Sequence, residues 1–295
     1  MELLQDQIQL HNLRGQLFNS HAIDILRLDL MHPIVSGNKW FKLKCNIQTA
    51  FEQKKKTIAT FGGAYSNHIV ATAYACQQVG LKSIGIIRGE KSTTLSPTLD
   101  ACITYGMELH FVSREGFRDK AALKLPFPDS CHWVEEGGYG PDGMKGAGEI
   151  LKVVDATTYS HIICSCGTGT MMAGLINVAL PHQTVIGISA LKNHTGLETD
   201  IKKLLPPSKQ QQVLNIFHGY HFGGYAKHPK ELIEWMAYLW QQENLPTDIV
   251  YTSKMMYAVK DLCHRNHFPS GSKLLIIHSG GLQGNLSLPI NILPF

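Results

Sequence analysis

Hydrophobic and polar positions change rhythm repeatedly from Thr57 onward. Short β-branched runs alternate with longer stretches that carry one apolar face, a pattern that predicts βα units and a parallel sheet. The runs are 57–61, 83–87, 108–112, 161–165, 184–189, 248–252 and 273–278. Several are apolar without alternation, as strands buried on both faces should be. Between them, the stretch 38–56 repeats Leu43, Ile47, Ala50 and Phe51 at three- and four-residue spacings, opposite a lysine-rich face. The alanine-rich stretch 67–79 predicts a helix stopped by Gly80. A third helical stretch, 229–243, opens on Pro229 and ends before Pro246. With no internal repeat, low-complexity tract or Pro/Ser-rich linker, the pattern predicts a two-lobed α/β protein without a flexible joint.

Composition narrows the class. A chain of 295 residues, 44% apolar and 17% charged, is long enough for one large or two ordinary domains and too apolar for disorder. A net charge of +4 over that length is a weak footprint, so no nucleic-acid partner is expected. No uncharged apolar run reaches about 18 residues, and the start MELLQDQIQL lacks the basic region and long apolar core of a signal peptide. Seven cysteines, an odd number scattered through apolar stretches, predict buried thiols in a reduced, cytoplasmic protein with no membrane partner.

Glycines cluster where strands hand over to helices. Gly62-Gly63 precedes Ser66-Asn67-His68, Gly167 and Gly169 follow Cys166, and Gly280-Gly281 follows Ser279. Ligands of open parallel sheets bind beyond the carboxyl ends of strands, so three such loops predict one shared site. Gly167-Thr168-Gly169-Thr170 suits a phosphate: its backbone N–H groups can approach an anion and the next helix presents its positive end. The loop lacks the Lys-Ser/Thr ending of a Walker motif, and no G-x-G-x-x-G is present. A tight turn without a ligand is the alternative. Lys39 and Lys42 share one side of a helix near its first turn, with Asn38 placed to cap it. The helix dipole disfavours a cation there, and Lys39 is the nearer, which makes it a candidate for a lowered pKa and Schiff-base chemistry. Solvated helix lysines are the alternative.

Taken in order, the GNK-x-x-K-L stretch at Gly37, the GG-x-x-SN loop at Gly62, the Gly/Thr loop and P-T-D-x-V-Y at Pro246 resemble one family. It is that of the pyridoxal-phosphate enzymes related to 1-aminocyclopropane-1-carboxylate deaminase and D-cysteine desulfhydrase, and the likeness runs from about Asp29 to Gly281. The resemblance implies an α/β fold of the tryptophan synthase β type, with two open, mostly parallel twisted sheets flanked by helices. It implies a larger cofactor-binding domain of residues 1–44 plus 156–295, a smaller one of residues 45–155, and a homodimer acting on a small amino acid.

Residue by residue, the resemblance makes Lys39 the Schiff-base lysine of pyridoxal 5'-phosphate. Asn67 would reach the cofactor's phenolic oxygen, Cys166, Gly167, Thr168, Gly169 and Thr170 would hold its phosphate, and Thr252 would meet its ring nitrogen. Ser66, Asn67, His68, Tyr225 and Tyr251 would face the substrate, with Ser66 and the two tyrosines sharing catalysis with Lys39. The deaminase pattern carries glutamate at the position of Thr252, and the threonine resembles the desulfhydrase branch. That implies β-elimination from D-cysteine, with 1-aminocyclopropane-1-carboxylate deamination as the alternative. Thr252 would also cap a helix beginning near Ser253. Val70 stands where relatives carry a basic residue, and the segments 127–129 and 206–213 differ from the pattern.

Other chemistries find less support. Cys164-x-Cys166, His218-x-x-His221 and His264-x-x-His267 lack second pairs at zinc spacing, so no metal is expected. No G-x-S-x-G elbow of a serine hydrolase occurs. A non-catalytic module binding phosphate or another small ligand remains the alternative to an enzyme.

Overall fold

A computed structural model describes residues 7–13, 16–19, 21–127 and 129–295. The first six residues, where a signal peptide would begin, and Pro128 lie outside that range.

Among the described residues, ten strands form two sheets. The chain opens with β1 (Gln9–Leu13) and β2 (Ala22–Arg27), then runs through helix α1 (Asn38–Glu52). It continues as β3 (Thr57–Gly63), α2 (Asn67–Val79), β4 (Lys82–Arg88), α3 (Pro97–Thr104) and β5 (Met107–Val112). Next come α4 (Lys120–Lys124), β6 (Cys131–Val134) and α5 (Pro141–Gly148). The second half holds β7 (His161–Cys166), α6 (Thr170–Val178), β8 (Thr184–Ser189), α7 (Leu197–Leu204) and β9 (Asn215–Phe217). It closes with α8 (Lys230–Glu243), α9 (Thr252–His264) and β10 (Lys273–His278).

The larger sheet has the order β1-β2-β10-β7-β8-β9, antiparallel only between β1 and β2. The smaller, β5-β4-β3-β6, is parallel throughout. Six of the seven predicted strands are present. Of the four others, β1, β6 and β9 are short strands at sheet edges, and β2, paired on both sides, has its apolar run interrupted by Asp24.

The seventh predicted strand, 248–252, is a tight turn leading into α9. Asp248 is the reason. Its carboxylate accepts the backbone N–H groups of Val250, Tyr251 and Thr252 at 2.9, 2.9 and 2.8 Å, which curls the segment into a helix entry. Asp248, and not Thr252, therefore caps this helix.

Alternation along β10 sorts the core. Leu274 and Ile276 pack with Leu232, Trp235 and Val259 of α8 and α9, whereas Leu275 and Ile277 face Met171, Met172 and Leu175 of α6. Each such side chain contributes about 1.5–3 kcal/mol by leaving water. On the second face three helices meet through glycines. A Cβ on Gly146 of α5 would stand 1.8 Å from the Phe41 carbonyl of α1, and one on Gly174 of α6 would stand 2.5 Å from the Met144 carbonyl of α5. All seven cysteines are free and buried. No helix among the described residues is long and apolar enough to cross a membrane.

In each sheet the strand order reverses once, between β10 and β7 in the larger and between β3 and β6 in the smaller. Crevices at such reversals are where open α/β sheets take ligands.

Candidate active site

Gly37 starts α1 with φ +63°, and a Cβ there would fall 1.9 Å from the Ser279 carbonyl, so the helix is seated directly on the turn after β10. The Asn38 N–H donates to that same carbonyl at 3.3 Å. Asn38 was expected to cap the helix but is its first residue. Its side chain instead donates to Met171 Sδ at 3.5 Å and accepts from Lys39 Nζ at 2.6 Å.

Burial lowers the Lys39 amine to about 8, against the opposing pull of Asp248. Lys42 falls further, to about 7, because burial is joined by the charge of Lys39, while Cys166 and Cys164 act the other way. Its Nζ is tied to the Gly137 carbonyl at 3.1 Å, and the residue is only 5% exposed. Lys39, half-buried, is the amine that a ligand can reach.

The loop after β3 brings Ser66, Asn67 and His68. Ser66 caps α2, accepting from the Ile69 N–H, and a Cβ on Gly62 would strike Ser66 Oγ at 2.9 Å. Asn67 Nδ2 donates to the Gly281 carbonyl at 3.3 Å, joining the two sheets, while its Oδ1 is buried without a partner. His68 is buried, and burial together with Lys39 and Lys42 lowers its pKa to about 3, so the ring is neutral. Thr60 Oγ1 donates to the Val134 carbonyl at 2.7 Å, so it accepts from His68 Nε2 at 3.0 Å. The Nδ1 lone pair is therefore an unpartnered buried acceptor. Val70 packs in a core cluster with Ile69, Ile87 and Leu99 and offers nothing to the site.

The loop after β7 forms the opposite wall. Gly169 takes φ +77°, and a side chain there would collide with Ile201 at 2.4 Å. Thr168 and Thr170 hydroxyls meet at 2.8 Å, and α6 starts without a side-chain cap, leaving its first N–H donors for an anion. Cys166 turns its sulfur into the core, donating to Met172 Sδ at 3.7 Å, so only its backbone can serve this loop. Gly137, after β6, closes on the same loop: a Cβ there would touch Thr168 Cγ2 at 3.1 Å.

Tyr251 sits above Gly167, whose added Cβ would lie 3.0 Å from its hydroxyl. Tyr225, 48% exposed at the rim, meets Tyr251 edge to face at 6.4 Å. Burial raises both phenol pKa values, helped at Tyr251 by Tyr225, Asp248 and Glu136 and at Tyr225 by Asp248 and Glu136 against Arg88, so both keep their protons. Thr252 is fully buried, and its hydroxyl donates to Asp248 Oδ1 at 2.6 Å.

Two residues here escaped the sequence reading. Asp248 lies beside Asn67, since a Cβ on Gly281 would stand 3.3 Å from Asn67 Nδ2 and 3.5 Å from Asp248 Oδ1. Lys254 is buried in α9 and donates to the Gly224 carbonyl at 2.7 Å, fixing the turn that carries Tyr225. The Pro-Thr-Asp start of the helix entry was the signal for Asp248; Lys254 left none. Of the histidine pairs, His218 bonds Glu198 at 2.8 Å, and among the described residues no three His, Cys, Asp or Glu side chains gather as a metal site.

The sequence profile of the family described as "Pyridoxal-phosphate dependent enzyme" matches residues 10–280. The chain belongs to this family. Its cofactor is pyridoxal phosphate, and its α/β fold is that of the family's fold type II members. A Pyrococcus abyssi protein with the provisional name 1-aminocyclopropane-1-carboxylate deaminase is 27% identical, over 88% of this chain and 84% of its own. A mitochondrial Arabidopsis thaliana protein, named bifunctional D-cysteine desulfhydrase/1-aminocyclopropane-1-carboxylate deaminase, is 26% identical over 92% and 75%. Among solved structures, one titled as a homologue of the same deaminase superposes with TM-score 0.82 at 22% identity, covering 95% of this chain and 90% of that one.

The residues present fit this cofactor. The glycine-lined loop before α6, with the uncapped N–H groups of that helix, and a depressed amine at Lys39 are what a phosphorylated aldehyde needs.

Proposed function

We propose that the protein catalyses β-elimination from D-cysteine or a related β-substituted amino acid, releasing pyruvate, ammonia and sulfide. The observation that carries this reading is the convergence of a reachable, depressed amine at Lys39 with two protonated phenols, Tyr225 and Tyr251, around one crevice. An elimination needs a base at the α-carbon and a proton for the departing thiolate, and these groups supply both.

Bound pyridoxal phosphate supplies an electron sink that weakens bonds at the substrate α-carbon. Lys39 would hold the cofactor, and its amine would serve as the base for the proton on the substrate α-carbon. The N–H groups from Gly167 to Thr170 hold the phosphate, and Asn67 holds the phenolic oxygen. Ser66 and His68 orient the substrate beside them. Tyr251, with Tyr225 behind it, delivers the proton to the leaving sulfur. Thr252 meets the ring nitrogen with a hydroxyl where a glutamate would supply a charge, which suits expulsion of a good leaving group. The bifunctional name of the Arabidopsis relative supports the same substrate.

Deamination of 1-aminocyclopropane-1-carboxylate is the second reading, favoured by the name of the Pyrococcus abyssi relative and by the other half of the Arabidopsis name. The deciding experiment compares pyruvate release from D-cysteine with 2-oxobutanoate release from the cyclopropane, for wild type and Thr252→Glu. Preference of the wild type for D-cysteine, shifted toward the cyclopropane by the glutamate, is expected; the reverse preference in wild type overturns the reading. The same reading takes residues 45–155, which include the smaller sheet, as the lesser domain against 1–44 and 156–295. It also implies a cytoplasmic homodimer, in keeping with seven free thiols.

A further inference from the structure

Thr252 carries one hydroxyl hydrogen, and that hydrogen is committed. It points to Asp248 Oδ1 at 2.6 Å, while the same hydroxyl oxygen accepts the Asp248 N–H at 2.7 Å. One lone pair is left. Toward a ring nitrogen, Thr252 can therefore accept a hydrogen bond but cannot give one without breaking its bond to the carboxylate. A pyridine nitrogen beside it is served only when it bears a proton.

The carboxylate behind the hydroxyl is fully buried. Four donors converge on its two oxygens: the N–H groups of Val250 and Tyr251 on Oδ2, and the N–H and hydroxyl of Thr252 on Oδ1. This acceptor-only arrangement suits an ionised group. Its negative charge reaches Lys39, Lys254, Tyr225 and Tyr251, so it acts on the site as well as on its own helix.

We infer that Asp248, acting through Thr252, holds the cofactor's ring nitrogen in its protonated form. Asp248 is then a positioning residue, and the buried hydroxyl passes on part of the effect of a negative charge, less than a glutamate in direct contact with the nitrogen would supply. The inference rests on the reading that Thr252 faces the ring nitrogen. Holding the helix entry alone is the competing role for Asp248. Asp248→Asn removes the charge but turns an amide NH2 toward two of the four donors, so Thr252→Val, which leaves the carboxylate and its three backbone donors in place, is the variant that separates the two roles.

The test loads wild type, Asp248→Asn, Thr252→Val and Thr252→Ser with pyridoxal phosphate labelled with nitrogen-15 in the ring, and reads the nitrogen shift across about pH 6–9. Cofactor content comes from the visible absorbance of each holoenzyme, and folding from its melting curve. Wild type and Thr252→Ser are expected to give the shift of a protonated ring. Asp248→Asn and Thr252→Val are expected to move toward the unprotonated value while still binding the cofactor. An unprotonated ring in wild type overturns the inference, as does a protonated one in Asp248→Asn. Should Asp248→Asn fail to fold, Thr252→Val decides alone, because it leaves the three backbone donors on the carboxylate, and an unchanged shift there overturns the inference. A wild type that takes up no cofactor fails the functional reading itself, which is a separate outcome from a bound but unprotonated ring.

Discussion

Asn67 Nδ2 donates to the Gly281 carbonyl across 3.3 Å, so one side-chain amide joins the loops leaving β3 and β10. Its Oδ1 remains buried and unpartnered. An unmet acceptor costs about 1–3 kcal/mol, which a donor on the cofactor or an intervening water would recover. Asn67→Ala should weaken cofactor retention by roughly tenfold or more. Equilibrium dialysis of the holoenzyme measures this, and unchanged retention would remove Asn67 from the cofactor site.

The two amines of α1 make separable predictions. Lys39→Ala should abolish the visible absorbance of the bound cofactor, whereas Lys42→Ala should keep it. Colour lost with Lys42 and retained without Lys39 would reverse their roles.

Lys42 also links stability to pH. Its folded pKa, about 7, lies below the unfolded value of about 10.4, so the unfolded chain binds the extra proton between them. In the cofactor-free protein this site favours folding more as pH rises through that window. Lys39 and Lys254 act in the same direction, while buried thiols such as Cys102, raised to about 12, oppose it at alkaline pH. The difference between wild type and Lys42→Met isolates the site. Melting temperatures should show Lys42→Met gaining several degrees at about pH 6 and less at about pH 9. A gain independent of pH would mean that Lys42 is charged in the folded protein throughout.

At the carboxyl ends of β2 and β10, Asp29 is held by Arg27 through two bonds of 2.8 and 2.6 Å, and His278 Nδ1 stands 3.0 Å from it. Burial alone would lower the histidine, yet Asp29 raises it above 6.5. This contribution is fully present below the unfolded pKa and is lost as pH rises through the folded one. His278→Gln should therefore cost more stability at about pH 5.5 than at about pH 8.5, up to about 3 kcal/mol at the acidic end. Chemical denaturation at the two pH values checks it, and equal losses would show an uncharged ring.

Gly146→Ala sets two effects against each other. Alanine favours a helix by about 1 kcal/mol over glycine, but its Cβ would stand 1.8 Å from the Phe41 carbonyl. Backbone cannot yield as a side-chain tip does, so steric cost should win and lower stability by about 2 kcal/mol or more. A variant as stable as wild type would mean that α1 and α5 can separate without penalty.

Long apolar runs made most interior strands of both sheets legible, because strands covered on two faces have no polar side to interrupt the pattern; β2 was missed because Asp24 breaks its run. Edge strands such as β1 and β9 alternate or last only a few residues, and no local signal marks them. The run at 248–252 looked like a strand for the same compositional reason. One carboxylate, Asp248, bends it instead, an outcome fixed by a side-chain bond that periodicity does not register. The glycine loops and Lys39 were readable because backbone approach to an anion demands particular residue types. Pro246-Thr247-Asp248 marks a turn but not its place beside the site, and Lys254 has no local mark, since the importance of both comes from what the fold places opposite them.

The glycine contacts that seat α5 between α1 and α6 bring main chain against main chain. The span from the Lys39 helix to the Gly167–Thr170 loop is thus gauged by peptide groups, which are the same in every sequence. Side chains lining the crevice can change without altering that gauge, provided a handful of glycines persist. The reach from the Lys39 amine to that loop is therefore held by main chain, whatever side chains line the crevice between them.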